Sequence, residues 1–599
     1  MAVSRKRDLA DDYVQKKRGH PRPQLLRPTW TSLNGVWEFA EDTGQGWMLA
    51  ADVEWRDRIV VPFSPETPAS GLNRQRYHGN CWYRTTVRPP ALDGGRLWLH
   101  FGAVDYTATV WINGALVGHH SGGYTPFRFD ITHHADEQHP LTIVVCAADD
   151  PHDLAKPRGK QDWRPDPHSI WYPRTTGIWQ TVWLERVPST WIDSVRWEAS
   201  LREWDVRCEV VIAGALADGL HLRVQLVGGE VLLADDTYRV VGREVVRHIS
   251  LADPGIDDSR NELLWSPESP QLIDATLELV DAGAASLDRI ESYTALRTVG
   301  VSGDRFLLNG RPYQLRLVLD QGYWPDTGLT APDDDALQMD VELARQMGFN
   351  GVRKHQKIED PRYLYWADVL GLVVWEEMPS AYRFTGDSVE RLIREWVDVL
   401  RRDFSHPCIV AWVPFNESWG VPNLPDSPAH RDYVRTLYHL TRTLDPHRPV
   451  VGNDGWESVT TDIVGIHDYD AVPARLAERY YLDERLDTRL KTERPGGRML
   501  FLEGQGRELP LVLSEFGGIA CADATAWTWG YSRCETGDDL RERYEALLAT
   551  VHTLGIFSGF CYTQFADTYQ EANGLLRADR TPKFPLVLIA GATLGVGPR

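Results

Sequence analysis

The sequence predicts an antiparallel β-sandwich, then an immunoglobulin-like β-sandwich, then a (β/α)8 barrel, along 599 residues. Three observations carry this prediction. Short alternating strands with turn signals run to about residue 187, and a second run of such strands spans about 188 to 297. After Gly300 the texture changes to strands interleaved with long amphipathic helices.

In the first segment, Leu97, Leu99 and Phe101 alternate with Trp98 and His100. Thr107 to Ile112, Asn113-Gly114 and Ala115 to Val117 spell a hairpin, because Asn-Gly tolerates the positive φ of a type I′ turn. The second segment holds strands such as Val206 to Ile212, His221 to Leu226 and Ala275 to Leu279, and about seven strands in that length fit an immunoglobulin-like sandwich. In the third, Thr330-Ala331-Pro332-Asp333 signals a helix start with Thr330 as N-cap, followed by Leu337, Val341, Ala344 and Met347 on one face and Gly348 as the stop. Two further helices follow from the 3.6-residue spacing of Val389 to Phe404 and of Leu540 to Leu554. Strands near Leu315, Gly351, Val373, Ile409, Val450, Val464, Val512 and Phe560 complete a barrel of eight. The expected domains are 1–187, 188–297 and 298–599.

Two segments carry the chemistry: Pro414-Phe415-Asn416-Glu417-Ser418-Trp419-Gly420 and Leu511-Val512-Leu513-Ser514-Glu515-Phe516-Gly517-Gly518. Each is an apolar strand that ends on a glutamate and runs into glycine. Counted as the ends of the fourth and seventh strands, Glu417 and Glu515 face the C-terminal mouth, where barrel enzymes keep their active sites. A carboxylate pair on a rigid scaffold is the minimum equipment for breaking a glycosidic bond, at about 5–5.5 Å separation for retention and about 6.5–9.5 Å for inversion.

The net charge of −21 excludes a nucleic-acid partner, which needs a basic surface. No apolar run approaches the ~20 residues of a membrane helix. The stretch Met1 to His20 carries Arg5, Lys6, Arg7, Lys16, Lys17 and Arg18 without an apolar core, so a solvated tail and a cytoplasmic location are expected. Seven cysteines without CxxC spacing read as free thiols. HExxH, clustered metal ligands and GxGxxG are missing from the sequence, so no metal and no cofactor are expected.

Asn416-Glu417 and Ser514-Glu515-Phe516-Gly517 resemble the acid/base and nucleophile motifs of glycoside hydrolase family 2, which includes β-galactosidases, β-glucuronidases and β-mannosidases. The resemblance spans nearly the whole chain. Trp30 to Trp37, Val110-Trp111-Ile112-Asn113-Gly114, Gly123 to Phe127 and Gly177-Ile178-Trp179-Gln180 resemble the family's N-terminal jelly-roll domain. Leu264-Trp265-Ser266-Pro267 resembles its middle sandwich, and Phe306 to Pro312 its barrel entry. It implies a retaining mechanism with Glu515 as nucleophile and Glu417 as acid/base. It further implies that Asn416 bonds the sugar 2-hydroxyl, that Tyr469 orients the nucleophile, and that Arg353 keeps the nucleophile ionised.

His355 and His467 either touch the sugar or support residues that do. Asp320, Trp529 and Glu571 complete the expected sugar contacts, with Trp324 and Trp419 as further stacking candidates. Glu376 and Glu377 are adjacent on one strand, point opposite ways and cannot flank one bond, which leaves Glu377 as a rim ligand. The chain departs from the family at Arg353-Lys354-His355-Gln356, at Tyr562-Thr563-Gln564 and at Asp320-Gln321. Glu571-Ala572-Asn573 stands where the glucuronidase signature has Asn-x-Lys, and without that lysine a glucuronide is disfavoured.

The expectation is therefore an exo-acting retaining glycosidase for a neutral terminal sugar, foremost a β-galactoside. A furanoside or arabinoside, a β-mannoside, a transglycosylase and a non-catalytic carbohydrate-binding protein are the alternatives. A carbohydrate is the expected partner, and homo-oligomerisation is left open.

Overall fold

The computed structural model describes residues 19–44, 46–251, 261–501, 508–522 and 528–596. The basic cluster of the first 18 residues lies outside them. Among the described residues no helix is long and apolar enough to cross a membrane.

The N-terminal sandwich packs a six-stranded sheet, with Asn80–Val87 and Leu141–Ala148 at its centre, against a four-stranded sheet built on Val182–Val187 and Arg96–Phe101. Inward-facing Leu97, Leu99, Val110, Ile112, Ile143 and Val145 form its core, as strand alternation requires. The Asn-Gly hairpin forms between Thr107–Ile112 and Ala115–Ser121, with φ of 51° at Asn113 and 82° at Gly114. Among the described residues the second sandwich has seven strands, three in one sheet and four in the other. One segment crosses between the two: Leu25 joins the second sandwich's core, and Arg27 pairs with Glu185 of the first and Asp288 of the second, each at 2.8 Å. Sequence patterning could not show this, since a buried ion pair between distant segments leaves no periodic trace.

The barrel sheet runs Ile409–Val413, Val373–Glu377, Gly351–Lys354, Leu315–Asp320, Phe557–Thr563, Leu511–Gly517 and Val464–His467, all parallel. The eighth expected strand, at Val450, forms only isolated bridges, Trp412 with Val450 and Asn416 with Asp454. Its reason is local. Pro449 has no N–H to give, and the edge facing Val464–His467 is already occupied by the turn before it. There, Asp462 N donates to Val450 O at 2.8 Å and Gly452 N donates to Thr461 Oγ1 at 3.1 Å.

Amphipathic helices cover the barrel, among them Gly386–Asp403 and Gly537–Thr553, which match the predicted spacings. The helix Asp334–Gln346 starts one turn later than expected: Asp333 is its N-cap, accepting from Ala336 N at 2.8 Å. Thr330 instead donates to Trp179 O of the first sandwich at 2.7 Å. The second sandwich is fastened to the barrel by Trp265 Nε1 and Tyr293 Oη, which donate to Asp368 O and Oδ2, both at 2.8 Å.

Candidate active site

Strand direction dictates where functional side chains collect. Because the barrel strands run parallel, their C-terminal ends share one mouth, and the side chains there come from six segments distant in sequence: Arg353, Glu377, Asn416-Glu417, Asp454, His467-Tyr469 and Glu515.

One carboxylate oxygen each of Glu417 and Glu515, together with a ring nitrogen of His467, all lie within 4.8 Å of one another. Glu417 and Glu515 are 8% and 4% exposed. Nδ1 of His467 sits 2.8 Å from Oε1 of Glu417 and 3.4 Å from Oε2 of Glu515, and its Nε2 is 3.4 Å from Oδ2 of Asp454. Burial disfavours charge on this ring, but the three carboxylates outweigh it and raise its pKa to about 10. This favours the imidazolium form at neutral pH, with Nδ1 toward Glu417 and Nε2 toward Asp454.

Arg353 lies beneath the pair, wholly out of solvent. Its Nη1 reaches Glu515 Oε1 at 2.6 Å, and its Nη2 reaches Asn416 Oδ1 at 2.6 Å, Glu377 Oε2 at 2.6 Å and Asp454 Oδ2 at 3.0 Å. Burial alone would raise the pKa of Glu515. The charges of His467, Arg353 and His355 and the Tyr469 hydroxyl reverse that and hold it well below the ordinary carboxylate range. The Tyr469 hydroxyl donates to Glu515 Oε2 and lies 3.2 Å from Thr563 Oγ1. Tyr469 is in turn stacked on Tyr531 at 3.4 Å and 9°. That stack needs Gly518: φ there is +59°, and a Cβ would fall 2.5 Å from the Tyr531 ring.

Backbone geometry re-aims the other glutamate. Glu417 and Ser418 have φ of 50° and 57°, a left-handed conformation that costs non-glycine residues about 1–3 kcal/mol each. It is held by Glu417 N donating to Asp454 O at 2.9 Å and Ser418 N donating to Asn453 Oδ1 at 3.0 Å. Asn416 is fully buried, and its Nδ2 has no hydrogen-bond partner, so one donor is free for a ligand oxygen.

Several expected sugar contacts are placed elsewhere. Arg353, given by the resemblance the part of keeping the nucleophile ionised, has no exposed surface and contacts Glu515 and Asn416. Asp320 is 3% exposed, pairs with Lys354 at 2.7 Å and accepts from Gly322 N at 2.9 Å, because the buried Lys354 needs an anion. Glu571 is 3% exposed, with one oxygen accepting from the Tyr172 hydroxyl and the other from Asn573 Nδ2 at 3.1 Å. Glu377 is not at the rim: it lies under the site, bound to Arg353 and to Gln356 Nε2 at 2.6 Å.

His355 is 4% exposed, 3.2 Å from Glu377 and 3.9 Å from Glu515. Trp529 is half-buried, edge-on to Tyr531 at 4.8 Å. Trp419 faces the mouth among Tyr382 and Trp171, whereas Trp324 is packed between Lys357 and Arg580.

Residues that sequence reasoning missed are Asp454, Tyr531, Thr563 and a loop of the N-terminal sandwich bearing Lys160, Trp171 and Tyr172. Only Asp454 left a signal: Val450-Val451-Gly452-Asn453-Asp454 repeats the apolar run ending in Asn and a carboxylate seen at Asn416-Glu417. Two described clusters have the donors of a metal site, Glu417-His467-Glu515 and Asp368-His406-Cys408. In the second, His406 Nδ1 lies 2.6 Å from Asp368 Oδ2, a hydrogen-bond distance that needs a proton between them. In the first, His467 Nδ1 lies 2.8 Å from Glu417 Oε1, also a hydrogen-bond distance.

A barrel with paired carboxylates at its mouth, preceded by two sandwiches, defines a glycoside-hydrolase class of protein. Comparison with known proteins gives the family. The model for the TIM barrel domain of glycosyl hydrolases family 2 matches residues 299–525, and that for the galactose-binding domain-like region of glycosyl hydrolase 2 matches 66–179. The chain belongs to glycosyl hydrolase family 2.

A β-galactosidase of Thermoanaerobacter pseudethanolicus is 26% identical over 436 residues, 70% of this chain and 55% of that protein. A putative β-glucuronidase of Formosa agariphila is 24% identical over 444 residues, 72% and 51% respectively. This chain thus spans about half the length of those relatives. Among solved structures, a β-galacturonidase from Eisenbergiella tayi bound to galacturonate superposes with a TM-score of 0.73 at 21% identity, covering 96% of this chain and 98% of that one. A β-glucuronidase from Ruminococcus gnavus in complex with D-glucuronic acid gives 0.75 at 21%, covering 95% and 99%.

Proposed function

We propose that the protein is a retaining exo-glycosidase working by double displacement. The observation that carries this reading is that one oxygen of Glu417 and one of Glu515 lie within 4.8 Å of each other, which fits the roughly 5–5.5 Å spacing of retaining pairs better than the roughly 6.5–9.5 Å of inverting ones.

In the first step Glu515 Oε forms a bond to the anomeric carbon while the bond from that carbon to the leaving oxygen breaks, and Glu417 gives that oxygen its proton. In the second, Glu417 takes a proton from water, the water oxygen bonds the anomeric carbon, and Glu515 leaves as a carboxylate. Arg353, His467 and Tyr469 favour this leaving state, because each is matched to an ionised Glu515. Asn416 Nδ2, buried and unpartnered, is placed to donate to a ring hydroxyl. The exo mode is favoured by the loop of the N-terminal sandwich that walls the mouth, with Gln570 Nε2 donating to Ser169 O and Trp171 O, both at 2.8 Å.

A β-galactoside is the reading for ring configuration, supported by the β-galactosidase relative. The neutrality expected from the sequence rests on the missing lysine beside Glu571 alone.

The test is a panel of nitrophenyl β-galactoside, β-glucuronide, β-galacturonide, β-mannoside and α-arabinofuranoside on the wild type and Glu515→Gln. Release from at least one by the wild type, lost by about 10³-fold or more in the variant, is expected. The first product anomer seen by NMR should keep the substrate's configuration. No release from any glycoside would favour a carbohydrate-binding protein without turnover.

A further inference from the structure

We infer that Lys160, delivered to the barrel mouth by the N-terminal sandwich, recognises an anion on the substrate, so that the sugar taken by this site carries a carboxylate. This deepens the glycosidase reading and relies on it for the identity of the site.

Lys160 is 4% exposed. Among the described residues it has no ion pair within 4.0 Å. Its ammonium lies 5.4 Å over the ring of Trp419 and 5.7 Å from that of Tyr172. The other buried lysines differ: Lys156 pairs with Asp149, Lys354 with Asp320 and Glu359, Lys357 with Glu359, and Lys583 with Asp567. Seated among aromatic faces without a carboxylate, this ammonium has its charge compensated only in part. Lys160 is the described buried lysine whose anion is missing.

Its position indicates what supplies that anion. Trp419 follows Glu417 by two residues, and its ring lies 6.2 Å from that of His355, which is 3.9 Å from Glu515. The ammonium thus sits over the mouth that holds the two glutamates. The loop that presents it is tied to the barrel: Arg158 N and Gly159 N donate to Ser380 O at 3.0 and 3.2 Å, and the Tyr382 hydroxyl donates to Gly159 O at 2.5 Å. The nearest carboxylate in sequence, Asp162, is unavailable, accepting from Arg164 N and His168 N at 2.9 Å and lying 2.6 Å from His168 Nδ1.

Electrostatics point the same way. With Glu417 and Glu515 at the mouth of a chain of net charge −21, and with Arg353 and His467 already paired with carboxylates, an acidic sugar needs a further cation to receive it. The lysine missing beside Glu571 in sequence is replaced in space by one from another domain.

The experiment measures calorimetric binding of galacturonate, glucuronate, galactose and glucose to Glu515→Gln, alone and combined with Lys160→Met or Lys160→Arg. We expect at least one uronate to bind about tenfold or more tighter than its neutral counterpart, Lys160→Met to erase that preference, and Lys160→Arg to restore part of it. Neutral sugars should change by less than about threefold, reporting an intact pocket. Equal binding of acid and neutral sugars, no measurable binding of either acid, or a preference that survives Lys160→Met overturns the assignment. Hydrolysis by the wild type reports separately on the glycosidase reading: acid-selective binding without turnover would sink that reading and leave the role of Lys160 standing.

Discussion

Arg353 meets Glu515 at 2.6 Å, Nη1 to Oε1, in a contact that solvent does not reach. The same guanidinium holds Glu377 and Asp454, so one cation neutralises three buried carboxylates in part and fixes the position of the nucleophile. Removing one partner of a buried charge cluster costs about 3–5 kcal/mol, because the remaining charges stay in the interior unpaired. Arg353→Met should therefore lower the unfolding midpoint and reduce kcat by about 10²-fold or more. Arg353→Lys should recover little, since a single ammonium cannot reproduce the planar fork. A melting curve and a steady-state assay check both, and wild-type stability in Arg353→Met would refute the cluster's structural role.

Tyr469→Phe isolates one hydrogen bond. The hydroxyl donates to Glu515 while the ring stays stacked on Tyr531. A hydrogen bond to a charged group is worth about 1.5–3 kcal/mol, so kcat/KM should fall about 10- to 100-fold with the melting temperature little changed. A large loss of stability would show instead that Tyr469 serves mainly to pack the mouth.

His467 predicts a pH dependence of stability. Its pKa is raised from an ordinary 6.5 to about 10 in the folded protein, so the stability it contributes is fully present below pH 6.5 and is lost as pH rises through 10. Glu515 works in the opposite sense: held below its ordinary 4.5, it contributes fully above that pH and loses its contribution in acid. Their joint contribution is largest between about pH 4.5 and 6.5. Unfolding midpoints should fall between pH 6.5 and 9.5, and His467→Gln should flatten that slope. An unchanged slope in the variant means that other groups set it.

What was legible in the sequence follows what each feature depends on. Glu417 and Glu515 were readable because strand ends and local motifs are written in contiguous residues. The opposed directions of Glu376 and Glu377 followed from strand alternation, yet whether Glu377 met solvent or Arg353 depended on a neighbouring strand. The Val450 segment looked like a strand by composition, and its pairing was lost to a turn that competes for the same hydrogen bonds. Lys160, Tyr172 and the segment around Arg27 act across domain boundaries, and no periodicity within one segment encodes such a meeting. The partners of Asp320 and Glu571, Lys354 and Tyr172, were hidden for the same reason, since such meetings are visible only in three dimensions.

Gly159→Ala probes the interdomain loop without touching any charge. Gly159 has φ of +59°, and a Cβ there would lie 2.2 Å from Gln356 O, so the substitution must push the loop off the barrel rim. The displacement moves Lys160 and loosens the Ser380 and Tyr382 contacts, while Glu417, Glu515 and their supports stay seated on barrel strands. KM should therefore rise about tenfold or more, with kcat altered much less, because binding at the mouth is lost and the reacting geometry is kept. Circular dichroism should match the wild type. If KM is unchanged, the loop of the N-terminal sandwich does not line the substrate's path, and the wall it forms is a scaffold for the domain interface alone.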